Sequence, residues 1–191
     1  MPPPAHGDTV DVLVVGAGPA GCAAALTAHA AGLKVLLVDK AAFPRDKTCG
    51  DGLTTGALRL LGRLGVEVPS LEIAAPVAEA VIVGPSGRRV ALPLPAGPDR
   101  VGQYAAVAAR RDLDAALLGH ARAVGVPVLE ATGLLTLAVR PDCVAATIGS
   151  GERGKAIRAR FVVAADGHYS AVRRLLERGR PPDLGSWHAA R

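Results

Sequence analysis

Val10-Asp-Val-Leu-Val-Val15, then Gly16-Ala17-Gly18-Pro19-Ala20-Gly21, then an alanine-rich run to Gly32, then Lys34-Val-Leu-Leu-Val38-Asp39: these stretches decide how the chain folds. They read as a buried strand, a glycine turn, a helix and a second buried strand that ends in a carboxylate. Each part has a physical reason if a dinucleotide binds here. Gly16 permits the tight turn out of the strand. Gly18 lets a pyrophosphate approach the backbone, and Gly21 lets the helix lie close to the sheet. The helix N-terminus offers unpaired N–H groups and about half a positive charge to the phosphates. Asp39 stands 23 residues (39 − 16) after Gly16, near the spacing of roughly 20 for a carboxylate that accepts from a ribose hydroxyl.

The whole chain sets outer bounds. Its 191 residues are half hydrophobic but only 3% aromatic, so the interior is built from Ala, Val and Leu. Net charge is +5 and the pI about 9.6. The arginines are scattered and do not interleave with aromatics, which argues against nucleic acid. A mildly basic surface suits an anionic cofactor or weak attraction to an anionic membrane face. Cys22, Cys49 and Cys143 are far apart and lack metal-ligand spacing. They read as reduced thiols in a cytoplasmic protein with no metal. Val12–Leu33 carries no Asp, Glu, Lys or Arg, but Gly16, Gly18, Pro19 and Gly21 interrupt it. A globular strand and helix explain it better than a membrane span. Residues 1–8 read as a disordered lead without a secretory n-region.

Downstream, a charged Pro/Gly loop from Lys40 to Gly52 precedes a helix expected over Leu53–Leu64, stopped by Gly65. Residues 66–78 read as irregular. Ala80–Val83 and Arg89–Leu92 form a hairpin around Pro85-Ser86-Gly87. A strand over Tyr104–Ala109 leads to a helix from Asp112 to about Val124, with Gly125 as its stop. Val126–Glu130 returns to the parallel sheet. Leu134–Val139, Val144–Ile148 and Ala156–Ala164 form a three-stranded antiparallel meander. Ser170 caps a last helix, Ala171–Arg178. The expected fold is α/β: a parallel sheet with helices on it, the three-stranded antiparallel meander, and the hairpin as part of a second layer.

Four segments in fixed order carry a resemblance: the glycine turn with Asp39; Phe43-Pro-Arg-Asp-Lys-Thr-Cys-Gly-Asp-Gly-Leu53; Arg110-x-x-Leu-Asp114; and Ala165-Asp-Gly-His-Tyr-Ser-Ala-Val-Arg173. Together they resemble the flavoprotein superfamily of aromatic hydroxylases. Within it the chain is most similar to the geranylgeranyl reductase family, flavin enzymes that saturate isoprenoid double bonds. The first and last segments are shared across the superfamily; the Pro-Arg-Asp-Lys-x-Cys-Gly-Asp-Gly loop is specific to the family. Family members continue that loop with proline and a basic residue, where Thr55 and Gly56 stand here.

The resemblance implies an α/β, Rossmann-like FAD-binding fold with a parallel sheet, a three-stranded antiparallel meander and the first strands of a substrate domain, and FAD as cofactor. Its contacts would be Gly16, Gly18 and Gly21 at the pyrophosphate, Asp39 at the adenine-side ribose and Arg45 near the phosphates, with Pro19, Ala20 and Lys40 also binding the cofactor. Gly50, Asp51, Gly52, Arg110 and Asp166 would follow around the flavin, with Cys49 as the catalytic candidate. It also implies a prenyl-lipid or isoprenoid substrate, an external electron donor (NADPH or a ferredoxin-like protein), and peripheral contact at the inner membrane face. By themselves, Arg45 and Lys47 read as solvated loop charges. Arg110 equally pairs with Asp114 at i,i+4, Asp166-Gly167 equally ends a strand, and Cys49 equally packs. Cys22 reads as a small core residue.

The family order divides the chain into FAD-binding parts at 9–78 and 104–178, a substrate-domain start at 79–103, and the start of a truncated continuation at 179–191. A further Gly-Asp-Ala turn and most of the substrate sheet are missing, so the chain reads as an N-terminal fragment. Three rival readings stand beside the reductase: an aromatic hydroxylase or halogenase, a non-catalytic nucleotide-binding fragment, and a plain NAD-dependent dehydrogenase.

Overall fold

The computed structural model describes residues 9–49, 51–66, 74–94, 105–151 and 153–176. The expected lead (1–8), Gly50, Tyr104, the last helix's end at Arg178 and the 179–191 continuation lie outside the described residues. In chain order the elements are β1 (Thr9–Val15), α1 (Pro19–Ala30), β2 (Val35–Val38), β3 (Gly52–Thr54), α2 (Thr55–Arg63), β4 (Ala74–Pro76), β5 (Glu79–Val83), β6 (Arg89–Pro93), β7 (Ala105–Ala108), α3 (Arg110–Ala123), β8 (Val128–Leu129), β9 (Gly133–Val139), β10 (Val144–Ser150), β11 (Arg153–Ala164) and α4 (Ala171–Leu175). They fall into two compact units, one holding 9–46 with 114–176, the other holding the described part of 47–113.

The first unit is built on a six-stranded sheet in the order β8-β2-β1-β11-β10-β9. β1 and β2 are near-continuous apolar runs, as strands covered on both faces must be, and Leu13, Val14, Leu36, Leu37 and Val38 have no exposure at all. β2, β1 and β11 run parallel, with Val15 level with both Val38 and Ala164. β8 joins the parallel part, as expected. The meander is present, and its last strand does double duty. β11 pairs antiparallel with β10 from Arg153 to Ala159 and parallel with β1 from Arg158 onward. One core therefore joins Val10, Leu13, Val15, Leu36 and Val38 to Leu134, Ala146, Ile148 and Ile157 of the meander.

The second unit holds the antiparallel sheet β3-β7-β4 and the β5–β6 hairpin. Several expectations change here. Gly52–Thr54 is a strand, because it pairs with β7, and α2 starts only after Thr54, whose Oγ1 accepts from Ala57 N. The supposedly irregular stretch contains β4, again paired with β7. These pairings hold the described part of 47–113 together as one compact unit. The hairpin has the expected strands, and Ile82 and Val83 on it are 59% exposed. α3 begins at Arg110 rather than Asp112, because Asp51 Oδ1 accepts from Arg110 N and satisfies a first-turn donor from a distance. Among the described residues no helix is long and apolar enough to cross a membrane.

Candidate functional site

In the first unit, β1 ends in the glycine turn. Gly16 has φ +100°, and a Cβ there would stand 2.6 Å from the Ala165 carbonyl carbon and 2.7 Å from Asp166 N. The turn thus runs against the strand end that carries Asp166. A Cβ on Gly21 would overlap the Gly16 carbonyl oxygen and lie 2.8 Å from its carbon. Both glycines are required by close approach, as the spacing predicted.

α1 starts at Pro19 after Gly18, with no side-chain cap and no acidic residue in its first turn. Its positive end is therefore left for a ligand, and proline at the first position has no N–H to satisfy. Cys22 Sγ donates to Ala17 O at 3.3 Å and is fully buried. Burial, with Asp114 and Asp39 nearby, pushes its thiol from 9.0 up to about 12. It is a core residue.

Asp39 closes the turn from the other side. Its Oδ2 accepts from Ala17 N at 2.6 Å and its Oδ1 from Ala41 N at 2.8 Å. The carboxylate is only 9% exposed. Each oxygen has a second lone pair, so Asp39 can pin the turn and still accept from a hydroxyl. Lys40, beside it, is exposed.

Asp166 lies at the carboxyl end of β11. Its Oδ2 accepts from Ala171 N at 2.6 Å and Val172 N at 3.2 Å, capping α4 together with Ser170. Its Oδ1 is buried and has no hydrogen-bond partner among the described residues. A buried orphan acceptor costs about 1–3 kcal/mol, and a ligand hydroxyl would satisfy it. Glycine cradle, uncapped helix end and orphan oxygen all fit a group that presents phosphates at one end and hydroxyls at the other.

Arg45 is not a solvated loop charge. Its Nη1 lies 3.1 Å from Asp114 Oδ2, and Asp114 has no exposure. The guanidinium also stacks over Phe43 at 4.8 Å. Glu130 ties down the same loop, accepting from Phe43 N at 3.1 Å and from Arg122 Nη2 at 2.7 Å. Sequence reasoning named Asp114 only in the Arg110-x-x-Leu-Asp114 segment and as a helical partner for Arg110, and it missed Glu130. Asp114 carried one usable signal: it shares helical spacing with Leu117, Leu118 and Ala121, all buried, so an acid stands on the apolar stripe of α3.

In the second unit the structure brings the Cys-Gly-Asp-Gly loop to the start of α3. Asp51, at φ 54°, accepts from Ala108 N through its carbonyl and from Arg110 N through its carboxylate. Gly52 pairs with Val107 on β7, and Cys49 is half-buried. No group of His, Cys, Asp and Glu among the described residues could hold a metal ion.

Residues 9–186 match the family described as FAD binding domain. The menaquinone reductase of Mycobacterium tuberculosis is 61% identical over 59 residues, 31% of this chain and 14% of that enzyme. The digeranylgeranylglycerophospholipid reductase of Methanosarcina acetivorans is 35% identical over 87% of this chain and 40% of that enzyme. Among solved structures, the flavin-dependent halogenase CmlS superposes with a TM-score of 0.77 at 30% identity, covering 90% of this chain and 32% of that one. The chain spans well under half the length of these relatives. The glycine turn, the acid that pins it and the orphan acceptor beside it accord with that match: this chain belongs to the FAD-binding domain family, and FAD is its cofactor.

Proposed function

We propose that this chain supplies the FAD-binding part of a reductase that saturates carbon–carbon double bonds in an isoprenoid or prenyl-lipid substrate. The observation that carries the reading is the 35% identity with a digeranylgeranylglycerophospholipid reductase across 87% of the chain. The geometry supports the cofactor's placement. Gly16, Gly18, Pro19, Ala20 and Gly21 would hold the pyrophosphate against the uncapped end of α1, and Asp39 with Lys40 would take the ribose. Asp166 would accept from a cofactor hydroxyl through its orphan oxygen. Arg45 would face the phosphates. Cys49, Gly50, Asp51, Gly52 and Arg110 would serve the flavin and the substrate. FAD supplies the hydride-transfer chemistry when bound; the protein binds, orients and excludes water. NADPH or a ferredoxin-like protein would reduce it, and the net positive charge suits peripheral contact with an anionic membrane face.

A second reading is favoured by the CmlS likeness: a halogenase or hydroxylase, in which reduced flavin meets oxygen first. The experiment has two stages. Residues 1–191 are expressed, and FAD is measured by absorbance and fluorescence after gel filtration, beside Asp39→Ala. Stoichiometric flavin in the wild type, lost in the variant, is expected. A folded chain without flavin would refute independent cofactor binding and leave a non-catalytic fragment. In a full-length protein, alkene saturation is expected; NADPH consumption with peroxide release would favour the second reading.

A further inference from the structure

Arg45 and Asp114 are 69 positions apart (114 − 45) and meet as an ion pair with the carboxylate wholly buried. A pair with one partner fully desolvated is weak evidence for stability, since desolvation offsets most of the attraction. Its presence asks for another use. Three observations tie it to the glycine turn. Cys22, in the first turns of α1, lies within electrostatic reach of Asp114, Asp39 and Arg45 together. The loop carrying Arg45 follows directly from Asp39, whose Oδ1 holds Ala41 N, while Ala131 N holds Ala41 O at 3.1 Å. Finally, the Arg45 side chain keeps 21% exposure while its Nη1 is buried and has no aligned hydrogen bond. One edge of the guanidinium is therefore held by charge alone, and the side chain's exposure lies outside that buried Nη1. A guanidinium has five donors in a planar fork, so one edge can stay on a carboxylate while the other meets an anion.

We infer that Asp114 is a positioning residue of the cofactor site: it anchors the buried edge of Arg45, so that the remaining donors of the fork are presented to the phosphates of FAD. This rests on the reading that the chain binds FAD with Arg45 at the phosphates. In the free chain Asp114 balances the arginine's charge, and in the bound chain it fixes the direction of the fork. Asp114 would thus act on the cofactor only through Arg45.

The test is a double-mutant cycle on FAD affinity, by fluorescence titration, with wild type, Arg45→Gln, Asp114→Asn and the double variant. Folding is checked by circular dichroism. Losing the orientation of a charge-assisted hydrogen bond corresponds to roughly a tenfold weaker Kd. Asp114→Asn is expected to cost about that factor beside the native arginine, and under about twofold in the Arg45→Gln background. An equal loss in both backgrounds would overturn the inference, since a purely structural aspartate acts whatever stands at position 45. If Asp114→Asn does not fold, Arg45→Lys decides. It keeps the charge beside Asp114 but lacks the fork, and a Kd within about twofold of wild type would overturn the inference. No FAD binding by wild type would remove the underlying reading and the inference with it, whereas wild-type binding with an additive cycle removes the inference alone.

Discussion

Replacing Gly21 by alanine sets two effects against each other. Alanine is favoured over glycine inside a helix by up to about 1 kcal/mol. Against this, the new Cβ would overlap the Gly16 carbonyl oxygen and sit 2.8 Å from its carbon, where unstrained carbon contacts need about 3.5 Å. The obstacle is backbone. It is fixed by Gly16 N donating to Val38 O at 2.8 Å and by Ala165 N donating to Val15 O at 2.8 Å. Neither strand end can yield without losing sheet hydrogen bonds, so the upper part of the overpacking range applies, ~3 kcal/mol. The net expectation is a loss of ~2 kcal/mol, a fall of roughly 4–8 °C in Tm for a chain of this length.

Gly119→Ala is the matched control. It lies in α3, where an added Cβ meets nothing within 4 Å. The helix gain then stands alone, and Tm rises by roughly 2–4 °C. Urea and thermal unfolding of the chain without cofactor, followed by far-UV circular dichroism, read both. If Gly21→Ala is as stable as wild type, or if both variants shift in the same direction, the close-approach argument is wrong.

Two further outcomes follow from the same unit. The Cys22 thiol is held from 9.0 up to about 12, so the unfolded chain ionises first; the stability contribution is intact below about pH 9 and is lost as pH rises toward 12. Urea midpoints at pH 8 and about 10.5 should show wild type losing about 2 kcal/mol more than Cys22→Ala; parallel declines would refute this. Glu130→Ala strands Phe43 N and releases Arg122, and should cost about 1–2 kcal/mol in urea. Glu130→Gln, which keeps an acceptor for Phe43 N, should recover about half, and equal losses in the two variants would mean that the Phe43 contact contributes nothing.

What could be read directly was local and periodic. The Val10–Val15 run, the glycine spacing, the hairpin around Ser86 and the meander each carry their pattern within a few residues, where backbone sterics and alternation decide conformation. Ser170 was legible for the same reason, since a helix cap acts on neighbouring backbone. The Gly16 and Gly21 requirements were read correctly because a missing side chain is itself the signal.

Other features depend on partners far away in sequence. β3 and β4 are three residues each, too short for alternation to show, and exist because β7 pairs with both. Asp51, directly before β3 and 59 positions from Arg110, starts α3 two residues early. The Arg45–Asp114 and Glu130–Phe43 contacts were invisible for the same reason: spacing along a helix says nothing of a loop arginine 69 positions away from the buried Asp114. The sequence by itself determined that a dinucleotide turn, a parallel sheet and a meander form, because those depend on local chirality, glycine and hydrophobic period. Only the tertiary structure decided which charges are buried and what they hold, because the cost of desolvating an acid is set by everything packed around it.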